Sequence, residues 1–367
     1  MGPGEIYRFD MNKRKRGFEM TAKVFKMAIV GFGGMGNWHR ELIESIEHLQ
    51  VKGVYDIDEE RAQYAKSLGL TAYVSLDDVL GDDEIDLILC ATPNDVHKEV
   101  VIRALNAGKN VVCEKPATMH SADFEEMMAA QKTSRLFVHQ NRRWEEDYLT
   151  VREILKQNIL GPVFKIESRV HGSRGIPGDW RGTVEHGGGM VLDWGVHILD
   201  QALQMFDGKV KKVYATITNV TNELVDDGFT AQLFFEDGPV YTLEVGTSNF
   251  ISLPRWYVLG RDGSAVIRDW DLSGEVVRVT NWDKNDAVPI KTAAGLTKTM
   301  APRTEDTIKT EKLPIVHSDI RDYYRNVMDT IEGKCEQIVK NEEVLRVLRL
   351  MEAIFDSVEK NQVVDFE

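Results

Sequence analysis

Residues 31–36 read Gly31-Phe32-Gly33-Gly34-Met35-Gly36, directly behind an apolar run at 25–31 and ahead of an amphipathic stretch at 35–48. A G-x-G-x-x-G in that position confines the chain to few folds. The first glycine makes a tight turn out of a strand, and the second lets backbone approach a pyrophosphate. The third lets the following helix pack close to the strand, with its N-terminus facing the anion. Asp56 follows twenty residues after Gly36, at the end of a second apolar run at 51–55. A carboxylate there can accept both ribose hydroxyls of NAD and repels the 2′-phosphate of NADP, and no arginine follows it directly. The expectation is a dinucleotide site, with NAD favoured over NADP.

The rest of the first half keeps the same grammar. Helical stretches at 59–68 and 96–106 alternate with buried runs at 85–91 and 110–114, and a helix starts at about Ser121, which reads as its N-cap. Gly108 reads as a C-cap, and residues 136–140 close the unit. The second half switches to period two: Phe229, Ala231, Leu233 and Phe235 alternate with Thr230, Gln232, Phe234 and Glu236. Asp-Gly pairs at 227–228, 237–238 and 262–263 suggest antiparallel strands joined by tight turns. Residues 281–312 are polar and structureless by pattern, and 319–332 and 341–360 are helical. The fold class expected is α/β: an N-terminal doubly wound parallel sheet, then a C-terminal α+β domain with an open, mostly antiparallel sheet. Residues 1–24 read as a mobile extension, 25–142 as the dinucleotide domain and 143–367 as the substrate domain.

Composition narrows the partners. Lys plus Arg is 45 against 59 Asp plus Glu, a formal charge of −14, which leaves no electrostatic footprint for phosphate backbones or anionic lipid. Cys90, Cys113 and Cys335 lie far apart with no CxxC, which argues against a disulfide framework or a structural zinc. No apolar run approaches membrane-spanning length, so a cytoplasmic setting is expected. A broad, partly apolar sheet face in an acidic chain makes a homodimer or homotetramer through that sheet the expected assembly.

A nicotinamide enzyme acting on an alcohol needs a proton acceptor and a group that stabilises the developing alkoxide. Lys115, in Cys113-Glu114-Lys115-Pro116, ends a strand on the side where ligands bind in doubly wound sheets. Asp193 and His197 are four apart, on one face of a helix, behind the glycines at 187–189, which would let backbone approach a ligand. By spacing alone the bland alternatives stand: a solvated strand-end lysine and a core histidine. His186-Gly187-Gly188-Gly189 mimics a lipase motif, but no G-x-S-x-G elbow accompanies it. No HExxH or comparable pairing points to a catalytic metal.

Taken in order, GFGGMG, Ala91-Thr92-Pro93-Asn94 with His97, EKP at 114–116, Asn141-Arg142-Arg143-Trp144, Asp179-Trp180-Arg181 and GGGxxxDxGxH resemble the Gfo/Idh/MocA oxidoreductase family, whose members include inositol dehydrogenase and glucose–fructose oxidoreductase. The resemblance runs from about residue 25 to the end. It implies a Rossmann domain and a substrate domain with a sugar or polyol between them. It further implies that Lys115 assists proton transfer, that His197 is the general acid/base, and that Asp193 binds substrate and orients the histidine. Thr92, Pro93, Asn94 and His97 would line the nicotinamide side, with Glu114 near the ribose. Trp144, Asp179, Trp180 and Arg181 would lie near the crevice. Trp194 is bulkier than the pattern suggests at its place. The implied activity is NAD-dependent oxidation or reduction of a polyol. The same hydride step also serves glycoside cleavage by transient oxidation and elimination, and a ligand sensor without catalysis is the weakest alternative.

Overall fold

The computed structural model describes residues 23–283 and 287–367, so the expected extension, apart from Lys23 and Val24, lies outside the described residues. Strands β1 (Phe25–Val30), β2 (Leu49–Tyr55), β3 (Thr71–Ala72), β4 (Leu87–Cys90), β5 (Asn110–Cys113) and β6 (Leu136–Val138) form a parallel sheet ordered β3-β2-β1-β4-β5-β6. The crossovers carry α1 (Gly34–Ile43), α2 (Glu59–Ser67), α3 (Leu76–Leu80), α4 (His97–Asn106) and α5 (Ser121–Ala129). Helices on both faces explain why β4 is unbroken apolar sequence rather than an alternation: all four of its residues are buried. Strand order reverses between β1 and β4, which sets the ligand crevice at their carboxyl ends.

Two local expectations are corrected here. Helix α1 stops at Ile43 rather than running to residue 48. Ser45 and Ile46 bond back to Leu42 and Ile43 in a tightened turn, and His48 takes φ of 65° to swing the chain into β2, which begins early at Leu49. Ser121 does not cap α5. It sits inside the first turn, and both its N–H and its hydroxyl donate to Glu352, each at 2.7 Å.

The second domain contributes α6 (Glu146–Lys156), β7 (Val163–His171), α7 (Val196–Met205), β8 (Val210–Thr218), β9 (Gly228–Phe235), β10 (Val240–Gly246), β11 (Trp256–Gly260), β12 (Gly263–Ile267), β13 (Gly274–Val279), β14 (Ile290–Thr292), β15 (Gly295–Thr297), β16 (Ile308–Glu311), α8 (Arg321–Ile331), α9 (Asn341–Lys360) and β17 (Val364–Asp365). Nine of these strands make one sheet, β16-β13-β12-β11-β7-β10-β9-β8-β17, antiparallel except where β7 lies parallel to β10. Asp237-Gly238 and Asp262-Gly263 make the hairpin turns expected of them, between β9 and β10 and between β11 and β12. Asp227-Gly228 does not. Its aspartate instead accepts from Thr218 and Thr221, fastening the loop that leads into β9.

The stretch 281–312 is not wholly structureless either. Strands β14 and β15 pair with each other, and β16 adds to the sheet edge beside β13, where Arg278 Nε meets Glu311 at 2.6 Å. Edge strands with both faces polar carry no apolar alternation, which hides them from a pattern search. Helix α9, found at the expected residues, joins the two halves. It packs along β8 while its Asn341 amide donates to the Leu136 carbonyl of β6 at 3.2 Å.

Candidate active site

The glycine loop forms a cradle. At Gly31, with φ of +91°, a Cβ would lie 2.6 Å from the Ala91 carbonyl oxygen, so only glycine lets the exits of β1 and β4 touch. A Cβ on Gly36 would fall 2.2 Å from the Gly31 oxygen, the close helix–strand approach that the third glycine permits. Above Gly34 there is open space, and no side chain caps α1. The first-turn N–H groups of this helix are therefore available to a pyrophosphate. The residues fit a bound dinucleotide. Phe32 is buried within the loop, while Met35 is exposed.

Asp56 sits where the sequence places it, but it is already engaged. Its Oδ2 accepts the Phe32 N–H at 2.6 Å and its Oδ1 accepts the Asp58 N–H at 2.9 Å, so it braces the glycine loop. Arg61 lies 3.3 Å from Asp56 Oδ2 and the same distance from a Cβ built on Gly33. No arginine follows Asp56 directly in sequence, yet the first turns of α2 return one to this corner.

At the carboxyl end of β5, Lys115 reaches across to the second domain. Its Nζ donates to Asp193 Oδ1 at 2.9 Å and to the Asp193 carbonyl at 3.0 Å. Burial opposes ionisation of Asp193, but Lys115 and Arg181 outweigh it and hold the carboxyl below its ordinary value. Asp193 lies in a π-helical turn, Val191–Gly195, whose Val191 N–H donates to Asp226. The wider turn spoils the four-residue register with His197. Asp193 pairs with Lys115 and, at 3.5 Å, with Arg181, and His197 Nδ1 is buried without a partner. The expected aspartate–histidine pair is thus an aspartate–lysine pair with the histidine close by. Burial, then the charges of Lys115 and Arg142, hold His197 well below its usual value, which leaves it neutral and able to accept a proton.

A cavity of about 520 Å³ opens beside Asp193, with Arg142, Arg181, Trp194 and Trp270 among its other walls; Lys115 and His197 lie behind Asp193 rather than in its lining. The Arg142 guanidinium lies 3.9 Å over the Trp194 ring. Trp270 and the stacking role of Arg142 were missed in the sequence. Trp270 follows β12 with no motif around it, and Arg142 stood only as one letter of a family pattern.

Other expected residues are placed differently. Trp144 packs edge-on to Tyr323, away from these walls. Asp179 caps the short turn Trp180–Gly182, and Trp180 stacks under Arg181 at 4.6 Å, so of that trio Arg181 is the member in the cavity wall. His97 is a fully buried strut: its two ring nitrogens lie 3.0 and 2.9 Å from the carbonyls of Pro116 and Thr92. The Lys115–Pro116 peptide is cis. Thr92 and Pro93 stay at the β4 exit, and Asn94 donates to the Gly187 carbonyl at 3.1 Å. The glycines at 187–189 admit protein rather than ligand, since Cβ atoms there would strike Met119, the Arg181 carbonyl and Asp226.

Glu114 is buried and held by protein groups. Its Oε1 lies 2.7 Å from both His39 Nε2 and His139 Nδ1, and its Oε2 accepts the Lys115 N–H at 3.2 Å. Burial works against the charge, but the two histidine contacts outweigh it and hold this carboxyl well below its ordinary range. His39, whose Nδ1 lies 2.6 Å from the Tyr324 hydroxyl, is lowered to about 4 by burial and by His139. Nothing in the spacing of residues 39, 114, 139 and 324 announces this cluster.

Residues 25–141 match the family model described as oxidoreductase family, NAD-binding Rossmann fold, and residues 148–266 match the GFO/IDH/MocA C-terminal domain. A solved NAD-binding protein from Listeria innocua is 49% identical, with a TM-score of 0.91 over 94% of this chain and 100% of its own. A scyllo-inositol 2-dehydrogenase (NADP(+)) from Bacillus subtilis is 27% identical over 93% of this chain and 96% of its own. A myo-inositol 2-dehydrogenase from Thermotoga maritima is 28% identical over 52% of this chain and 57% of its own.

Proposed function

The chain belongs to the Gfo/Idh/MocA oxidoreductase family, and from that premise we propose that it moves hydride between a nicotinamide dinucleotide and a secondary alcohol of a sugar, cyclitol or related polyol. The observation that carries the reading is the meeting of Lys115 and Asp193 beside a neutral, buried His197, at the carboxyl edge of a sheet whose glycine loop is open to a pyrophosphate. When bound, the dinucleotide supplies a hydride acceptor or donor at the nicotinamide C4. His197 takes the hydroxyl proton as hydride leaves carbon, and Lys115 donates a hydrogen bond to the same oxygen as charge develops on it. Asp193 holds Lys115 in place and accepts from a neighbouring substrate hydroxyl. Trp194 and Arg142 close one wall against water. The two inositol dehydrogenases among the relatives support a polyol substrate.

Thr92, Pro93 and Asn94 flank the nicotinamide in this reading, and Asp56 binds the adenosine ribose, favouring NAD. Asp56 stands beside Arg61, and one relative's name specifies NADP, so the preference is one of degree. The free thiols of Cys90, Cys113 and Cys335 support a cytoplasmic setting. Redox-assisted cleavage of a glycoside uses the same groups and is the second reading.

Lys115→Ala and His197→Ala test the assignment. Each should lower kcat by about 10²- to 10⁴-fold while dinucleotide affinity stays within about twofold. Wild-type turnover by both variants would remove these residues from the chemistry.

A further inference from the structure

Glu114 has no part in the hydride step above, yet its side chain is buried and fully engaged. With neutral imidazoles the proton accounting closes on one arrangement. The Tyr324 hydroxyl donates to His39 Nδ1, His39 Nε2–H and His139 Nδ1–H donate to Glu114 Oε1, and the Lys115 N–H donates to Oε2. The four side chains come from four places: α1, the end of β5, the end of β6, and α8 of the second domain. We infer that Glu114, clamped by His39, His139 and Tyr324, is a positioning residue: it fixes the Lys115 loop against the dinucleotide helix and sets a buried negative charge next to Lys115, near His197. The inference rests on the function proposed above and adds to it residues that do not touch substrate.

The electrostatics around His197 give the charge a task. Lys115 after β5 and Arg142 from the turn Asn141–Trp144 disfavour protonation of His197, and Glu114 favours it. Asp193, on the preceding turn, is tied to Lys115 and Arg181. A proton arriving on His197 from the substrate alcohol therefore meets a compensating charge fixed in the interior by three donors. Its removal leaves a weaker base.

Glu114→Gln in the full chain tests this, with Tyr324→Phe as a milder second variant that removes only the donor to His39. NADH affinity is read from nicotinamide fluorescence, and kcat/KM against pH is measured on the inositol or hexose that wild type oxidises fastest. For Glu114→Gln we expect the NADH Kd within about twofold and kcat/KM down by about tenfold or more. The acidic limb should move to lower pH by roughly half a unit or more. Tyr324→Phe should shift both kinetic readouts in the same direction by less. A tenfold loss of NADH affinity in Glu114→Gln would place the carboxylate on the cofactor and overturn the inference. A lower rate with an unmoved acidic limb would overturn it too, since it would leave only a packing role. If wild type binds NADH but oxidises no polyol, the proposed function has failed, and the NADH arm alone then decides whether Glu114 is a cofactor ligand.

Discussion

At the residue scale, the cofactor preference proposed above rests on two side chains. Asp56 was legible from its distance to the glycine loop. Its partner Arg61 was not, because reading forward from Asp56 looks for an arginine next in sequence, whereas the first turns of α2 bring residue 61 back to within 3.3 Å. In the proposed reading Asp56 acts on a dinucleotide both directly and by holding the arginine. Asp56→Ala should weaken NAD by about tenfold and improve NADP relative to it, because the freed guanidinium can meet a 2′-phosphate. Adding Arg61→Ala should cancel the NADP gain. Dissociation constants for both cofactors across the single and double variants check this, and an unchanged NAD-to-NADP ratio in Asp56→Ala would contradict it. Glu114 gives the opposite lesson. The EKP motif marked it as important, but its partners His39, His139 and Tyr324 converge only after the chain has folded.

At the element scale, the parallel sheet was readable because apolar runs buried on both faces cannot hide, and α9 was readable because its apolar stripe is long and periodic. Short or polar elements were not: β16 and β17 hold four and two residues and contribute backbone bonds rather than core. The π-helical turn at Val191–Gly195 escaped for another reason, since helical spacing in sequence does not say which turn is widened. Asp226 holds that turn through the Val191 N–H, and burial pushes its carboxyl up to about 7. An unfolded aspartate ionises near pH ~4, so the folded chain keeps a proton that the unfolded chain releases, and wild-type stability falls as pH rises between about 4 and 7. Asp226→Asn does not titrate. Its Tm relative to wild type should therefore rise by several degrees, roughly, from pH 5 to pH 8. A Tm difference independent of pH would contradict this account of the turn.

At the scale of the whole molecule, helices α7 and α9 pack on one face of the nine-stranded sheet, and on the other the loop residues Ser252, Leu253 and Pro254 border an open cavity with Glu167, Arg169 and Tyr257. That second face mixes the ion pair Arg169–Glu244 with the half-exposed ring of Tyr257, and the same loop carries the exposed Phe250 and Ile251. A second copy of the chain is the proposed cover. Light scattering at micromolar concentration should give a dimer or tetramer mass, and Tyr257→Arg with Phe250→Asp should shift it downward. A wild-type mass of one chain, 41.6 kDa, would contradict the proposal. Both domains also meet at the site: Lys115 comes from one and Asp193 from the other, so the proposed hydride chemistry draws on both. The most direct test of that chemistry is the near-ultraviolet absorbance of reduced nicotinamide when purified protein and NAD meet a panel of inositols, aldoses, sugar acids and glycosides. The account predicts a rise with at least one polyol or sugar, abolished in His197→Ala. Silence across the panel, with NAD binding confirmed and no glycoside cleaved, would contradict it.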